Sequence, residues 1–170
     1  MFFFISGFAQ IKSASLTASG LTCSMCSRAI YKALEKVSSV EHIDVNIEKS
    51  SYNIQFKNNE KIVLDDIKNA VTGAGFSVAS LQVTAAFNNT PVFNDAHIDI
   101  GGCTYHFLNI TSQTLNGDKT MTILDKNYLP TNEHKKYAQY TKMKCFQTGY
   151  MENCCPNDKH NKTRVYHVTL

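Results

Sequence analysis

The sequence lacks tryptophan, a concentrated basic stripe and any long apolar run. Its lysines are scattered, and the formal net charge of +3 is small for 170 residues. Nucleic-acid interfaces concentrate positive charge on one face, so nucleic acid is not an expected partner. No run approaches the ~18 consecutive apolar residues of a transmembrane helix, so we expect no membrane span in the mature chain. The composition, 43% hydrophobic and 18% charged, is globular and excludes a disordered chain.

The first ten residues, MFFFISGFAQ, form a short apolar run that ends in small residues. This pattern resembles the back half of a secretory signal peptide, with cleavage near Ala9 or Gln10. The positive segment that normally precedes such a run is missing, so a first buried strand is the alternative. We favour export to a bacterial periplasm, with a cytoplasmic location if residues 1–10 are not a signal peptide.

Hydrophobic periodicity organises residues 11–83 into six elements. Alternating residues predict strands and residues at helical spacing predict amphipathic helices, with Gly75 suited to end the second helix. The predicted elements are a strand at 11–18, a helix at 26–37, strands at 42–47 and 52–56, a helix at 64–74 and a strand at 76–83. This β-α-β-β-α-β order predicts an α+β, ferredoxin-like domain: an antiparallel sheet covered by two helices.

Two thiols, Cys23 and Cys26, lie three residues apart between the first strand and the first helix. The first turn of a helix favours a thiolate, and thiolates select soft metal ions. A structural zinc site needs four ligands, and no histidine or second cysteine pair is close in this half. Two sulfurs therefore favour Cu(I), with Hg(II), Zn(II) and Cd(II) as alternatives.

Other interpretations of the pair remain open. Cys23 and Cys26 could form an inert disulfide, or they could be a thiol-disulfide redox pair. The element order differs from that of thioredoxin-like folds, which favours metal binding. Met25, between the thiols, is either a secondary soft contact or an exposed loop residue, and we favour the latter. His42 is expected to be solvated.

Residues from about 11 to 83 resemble a heavy-metal-associated domain, the module of copper chaperones, metal-transporting P-type ATPases and the periplasmic mercury-binding protein. The matching residues are Gly20, Thr22, Cys23, Cys26, Ala33, Leu34, Val40, Ala74, Gly75 and Phe76. The resemblance implies a non-enzymatic carrier or sequestration protein whose ligands are Cys23 and Cys26. It implies a metal-transporting ATPase or another trafficking protein as partner.

One residue departs from the family pattern. Leu21 stands where the family usually has Met, a side chain that packs under the loop and is not a ligand. The resemblance therefore implies altered loop packing with binding intact. Phe76 stands where the family has Tyr or Phe, which implies that it covers the site.

Beyond residue 84 the pattern changes to short strand-like runs separated by turn residues, in which we recognise no family. We expect domains at 11–84 and 85–170, the second being β-rich. The predicted elements are strands near 83–87, 97–100, 104–109, 120–124 and 163–170 and a helix at 133–140, with turns at Asn88-Asn89, Gly101-Gly102 and Asn116-Gly117-Asp118. This half could dock a partner while the first half senses metal.

Four cysteines lie in the second half: Cys103, Cys145, Cys154 and Cys155. Disulfides that staple a weakly patterned loop are the favoured interpretation, since their spacing matches no standard metal signature. The alternative is a second soft-metal site built from residues 143–145 and 151–155, which include Met143 and Met151. The histidines of this half, His106, His160 and His167 among them, are expected at the surface.

Overall fold

The computed structural model describes residues 9–21, 23–151 and 163–170. Within them, a mixed sheet of eight strands runs through both halves of the chain, in the order β2-β3-β1-β4-β7-β8-β6-β5. The elements are β1 (Gln10–Ser19), α1 (Ser24–Leu34), β2 (Val40–Asn46), β3 (Ser51–Phe56), α2 (Leu64–Gly73), β4 (Ser77–Val92), β5 (His97–Ile100), β6 (Cys103–Phe107), β7 (Gln113–Ile123), α3 (Thr131–Tyr137), a 3-10 turn (Ala138–Tyr140), α4 (Cys145–Thr148) and β8 (Val165–Thr169).

The first half has the predicted β-α-β-β-α-β order, which confirms its ferredoxin-like fold. β1 lies between β3 and β4 and is antiparallel to both. Ile30 and Leu34 of α1, and Ile67 and Val71 of α2, are buried at helical spacing. The periodicity was predictive because each helix packs a single apolar face against the sheet.

β4 connects the two halves of the sheet. Its 16 residues pair with β1 along one edge and with β7 along the other. The expected domain boundary between residues 84 and 85 falls inside this strand. A single core cluster accordingly extends from Leu16 in β1 to Val168 in β8.

Two turns predicted from asparagine and glycine are wrong. Asn88-Asn89 lies within β4 and Asn116-Gly117 within β7, where the register shifts between Phe87 and Thr90. Asn89 and Gly117 both have positive φ, and the Asn116 side-chain oxygen accepts a 2.7 Å hydrogen bond from the Asn89 amide. A bulge and a hairpin turn require the same left-handed backbone, so the residue types do not distinguish them.

The second half contains the elements predicted near 97–100, 104–109, 133–140 and 163–170. β5 and β6 form a hairpin across Gly101 and Gly102, which have φ of 58° and 79°. β8 lies between β7 and β6, antiparallel to the first and parallel to the second. Because β8 is central, all five of its residues are buried.

Only the last two residues of the expected signal peptide are described. Ala9 is buried, and its carbonyl accepts a 3.0 Å hydrogen bond from the Gly101 amide, while Gln10 begins β1. Among the helices of the described ranges, none has the length and apolar character that a bilayer span requires.

Candidate metal centre

The loop between β1 and α1 is shaped by its backbone. Gly20 has φ of 86°, a conformation that disfavours other residues, and directs the chain out of β1. Cys23 is extended and precedes the helix, and its carbonyl accepts a 3.1 Å hydrogen bond from the Cys26 amide. Cys26 therefore lies in the first turn of α1, as predicted.

The loop brings the two predicted ligands together. Cys23 Sγ and Cys26 Sγ are 3.2 Å apart, with Cys23 exposed and Cys26 half-buried. This separation is too long for the ~2.05 Å bond of a disulfide. It is shorter than the ~4.6 Å that two ~2.3 Å metal–sulfur bonds would span in a linear arrangement. A small change of side-chain rotamer would let both sulfurs bind one ion.

Two aromatic side chains, Tyr52 and Phe76, lie next to the β1–α1 loop. The Tyr52 hydroxyl donates a 3.3 Å hydrogen bond to the Ser27 carbonyl. Burial raises the pKa of Tyr52, and the nearby Cys26 thiol adds to that effect, so the hydroxyl stays protonated. A Cβ on Gly20 would lie 3.9 Å from Phe76 Cδ1, which places the half-buried Phe76 ring beside the loop.

The remaining predicted residues of the first half are at the surface or against the core. Leu21 is partly buried and packs against the main core cluster. Met25 is 80% exposed, in agreement with the favoured interpretation of a loop residue. His42 is exposed and lies 3.2 Å from Asp44, as expected for a solvated side chain. Thr22 lies outside the described residues.

Residues 15–77 match the family model of the heavy-metal-associated domain. This segment is a heavy-metal-associated domain. Copper chaperone CopZ of Staphylococcus aureus (strain JH9) is 29% identical over 63 residues, which are 37% of this chain and 91% of CopZ. The segment that matches the heavy-metal-associated domain contains Cys23, Cys26 and both helices.

Two solved structures each resemble a part of the chain. Oxidized MerP from Ralstonia metallidurans CH34 is 30% identical, with 40% of this chain and 96% of MerP covered and a TM-score of 0.36. The yeast copper transporter domain Ccc2a, solved in apo and Cu(I)-loaded states, is 25% identical, with 38% and 88% covered and a TM-score of 0.35.

Two of the four cysteines of the second half, Cys103 and Cys145, lie within the described residues. Neither Cys103 nor Cys145 forms a disulfide with another described residue. The Cys103 thiol donates to the Ile62 carbonyl at 3.4 Å, and burial raises its pKa. Cys154 and Cys155 lie outside the described residues, so any pairing that involves them stays a prediction.

The expectation that the second-half histidines lie at the surface is wrong for two of them. His106 and His167 are both completely buried, because β6 and β8 are covered on both faces. His160 lies outside the described residues. His106, His97 and Cys145 each offer a ligand atom within 4.8 Å of the others.

One signal for this cluster is present in the sequence, although hydrophobic periodicity does not reveal it. His97 and His106 are equally distant from the Gly101-Gly102 turn, and they are paired opposite each other in the β5–β6 hairpin. The predicted turn therefore already implied the histidine pair. The approach of Cys145 was not predictable, since it depends on the packing of α4.

Proposed function

We propose that this protein binds a soft metal ion through Cys23 and Cys26 and passes it on or sequesters it. The observation that carries the proposal is the 3.2 Å separation of two thiols on an exposed loop of a heavy-metal-associated domain. The proposed role is that of a non-enzymatic carrier.

Cu(I) is the proposed ion. Two thiolates satisfy Cu(I), which accepts low coordination numbers, whereas structural zinc requires four ligands. CopZ of Staphylococcus aureus, which is similar to 37% of this chain, is named a copper chaperone. Hg(II), Zn(II) and Cd(II) share the preference for sulfur and are the alternatives to be compared.

The exposure of the loop supports transfer by ligand exchange. Cys23 is exposed and Cys26 is half-buried, so a partner's thiolate can approach the ion from the Cys23 side. The incoming thiolate forms a third metal–sulfur bond, and the bond to Cys23 then breaks. The metal keeps its oxidation state throughout, so no electron acceptor is needed.

The proposed partner is a metal-transporting ATPase or another trafficking protein with a similar thiol pair, and the proposed location is the periplasm. Because two sulfurs 3.2 Å apart can also close into a disulfide, a thiol-disulfide redox role is the alternative function. A redox role requires electron transfer to a substrate disulfide, which metal exchange does not.

The experiment is an anaerobic Cu(I) titration of the reduced full chain against a chromogenic chelator. We expect the Cys23→Ser/Cys26→Ser variant to bind one equivalent fewer than the wild type. Cys103→Ser is the matched control, because Cys103 lies at the start of β6, away from the β1–α1 loop, and should leave binding unchanged.

Equal copper binding by the wild type and the double variant would refute the proposal. An insulin-reduction assay on the same proteins tests the alternative. Turnover comparable to that of a dedicated oxidoreductase, lost in the double variant, would establish the redox role instead.

A further inference from the structure

We propose that His97, His106 and Cys145 form a second metal site, for a thiophilic ion of the Zn(II) or Cu(I) class. The site lies in the second half of the chain and does not depend on the function proposed for Cys23 and Cys26. It draws one ligand from β5, one from β6 and one from the first residue of α4.

The distances fit the coordination of a single ion. Cys145 Sγ lies 3.6 Å from His106 Nδ1, and the three ligand atoms lie within 4.8 Å of one another. Bonds of ~2.0 Å to nitrogen and ~2.3 Å to sulfur place two tetrahedral ligands ~3.5 Å apart. The His97 and His106 rings are stacked with centroids 4.1 Å apart, and one nitrogen of each belongs to the group of ligand atoms.

Asp95 orients both histidines in the manner of an outer-shell residue. Its carboxylate lies 2.9 Å from His106 Nε2, which leaves Nδ1 facing the cysteine sulfur. Its backbone also forms a hydrogen bond with His97. A carboxylate or carbonyl behind each imidazole is the common arrangement around histidine metal ligands. Asp95 has φ of 67°, an uncommon conformation for a residue other than glycine.

Burial favours a closed metal site over a catalytic thiol. His106 contacts the Cys145 thiol through one ring nitrogen and the Asp95 carboxylate through the other. A catalytic triad has the same order of nucleophile, base and orienting acid. However, Cys145 has no exposed surface, and a nucleophile must reach its substrate. A buried structural ion needs no such access.

The surroundings of Cys145 suit a soft ion. Met151 belongs to the same apolar cluster as Cys145, and Met143 packs against that cluster. Methionine is itself a soft ligand type. The His167 ring lies 5.1 Å from that of His106, and its buried Nε2 finds no partner among the described residues. A buried nitrogen left without a partner is destabilising.

The test uses the full chain with Cys23→Ser/Cys26→Ser as background, so that the first pair cannot contribute. Metal-free protein is titrated with Zn(II) in one arm and with Cu(I) under reducing conditions in the other, each against a competing chelator. We expect one equivalent to bind in at least one arm, and the arm that binds more tightly identifies the ion. In the Zn(II) arm, Co(II) substitution should give a thiolate charge-transfer band.

Variants of the proposed ligands, made in the Cys23→Ser/Cys26→Ser protein, show whether the bound ion lies at this site. Cys145→Ser and His97→Phe should each weaken binding by more than ~100-fold, beyond the 10–100-fold effect of losing an outer-shell partner. Asp95→Asn should fall within that smaller range, and Cys103→Ser should have no effect. His97→Phe retains the ring stacking, so it is the variant expected to fold normally, as circular dichroism of the metal-free protein would show.

Two results would overturn the proposal. One is a background protein that binds neither ion with at least one equivalent. The other is undiminished binding in both Cys145→Ser and His97→Phe, which would place the ion elsewhere in the chain. Neither result bears on Cys23 and Cys26, which are absent from every protein in the test.

Discussion

Arg164 Nε lies 2.8 Å from an Asp65 carboxylate oxygen, and this ion pair connects the two halves of the chain. Asp65 is in the first turn of α2, and Arg164 immediately precedes β8. The same carboxylate accepts hydrogen bonds from Tyr128 at 2.9 Å and Tyr166 at 3.3 Å. Because both partners are mostly buried, the pair acts as an internal polar contact between α2 and β8.

Asp65→Asn should destabilise the protein by about 2–3 kcal/mol. Asparagine keeps the shape of the side chain but removes its charge, which leaves the buried Arg164 guanidinium with Asp125 as its one remaining counterion among the described residues. Urea unfolding followed by circular dichroism measures the change. Asp66→Asn is the matched control, because Asp66 is the next residue in the same helical turn and is exposed. Its effect should stay within about 0.5 kcal/mol, and equal losses in the two variants would contradict the role of the ion pair.

The stability of the wild type should fall as the pH drops below about 4, the unfolded value for an aspartate. Burial opposes ionisation of Asp65, but hydrogen bonds from Arg164 and Lys68 outweigh it and hold its pKa well below the usual range. A carboxyl whose pKa is lower in the folded state stabilises the fold above the unfolded pKa and loses that contribution as the pH falls.

The Asp65→Asn variant should therefore lose less stability in acid than the wild type does. The groups that face Asp65 are Arg164, Lys68, Tyr128 and Tyr166. Tyr128 and Tyr166 both have raised pKa values from burial, so neither titrates in this range. The measurement is urea unfolding of both proteins at several pH values. A difference in unfolding free energy between the wild type and Asp65→Asn that stays constant from neutral to acid pH would contradict the role of Asp65 in the pH dependence.

Replacing the two glycines at the end of α2 with alanine should change the stability of the protein in opposite directions. Gly75 has φ of 89°, and the Phe76 amide donates to the Val71 carbonyl across the end of the helix. Gly75→Ala should cost about 1–2 kcal/mol, since alanine is strained in that conformation. Gly73→Ala should stabilise by up to about 1 kcal/mol, because Gly73 is helical and its added Cβ meets open space. Thermal unfolding measures the melting temperature of each variant. A shift of both melting temperatures in the same direction would contradict the role of Gly75 in ending the helix.

The sequence predicted those features that depend on one buried face or one local conformation. The helices α1 and α2, the strands of the first half and the helix-ending conformation of Gly75 follow from periodicity and residue type. The meeting of Cys23 and Cys26 follows from their three-residue spacing at a helix start. Each of these signals is local, so a linear pattern records it.

Long-range pairing was not predictable in the same way. The β4 strand continues through Asn88-Asn89 because Phe87 and Thr90 on either side pair with Gly117 and Leu115 of β7, a relationship that the sequence does not display. The burial of His106 and His167 follows from the insertion of β8 between β7 and β6. A histidine is as compatible with the surface as with a core polar network, so its type alone does not reveal its environment.

Thiol labelling should distinguish Cys23 from Cys103. Cys23 is exposed, whereas Cys103 is half-buried, donates to the Ile62 carbonyl and has a raised pKa because of burial. Because the thiolate is the reactive form, a dilute alkylating agent at neutral pH should modify Cys23 well before Cys103. Peptide mass spectrometry at timed intervals measures the order. Labelling in urea should remove the difference, and faster modification of Cys103 in the native protein would contradict its placement.

The two halves should unfold together. On one edge of β4, Leu81 pairs with Leu16 of β1, and on the other edge Val83 pairs with Met121 of β7. Unfolding of one half of the sheet therefore removes a strand to which the other half is hydrogen-bonded. Native-state hydrogen exchange in increasing urea should give the Leu16 amide in β1 and the Met121 amide in β7 the same free energy of opening. Asp65→Asn should lower both values equally, because the ion pair spans the halves. A β1 amide that stays protected after β7 has exchanged would show instead that the heavy-metal-associated domain folds independently, with β4 serving only as its edge strand.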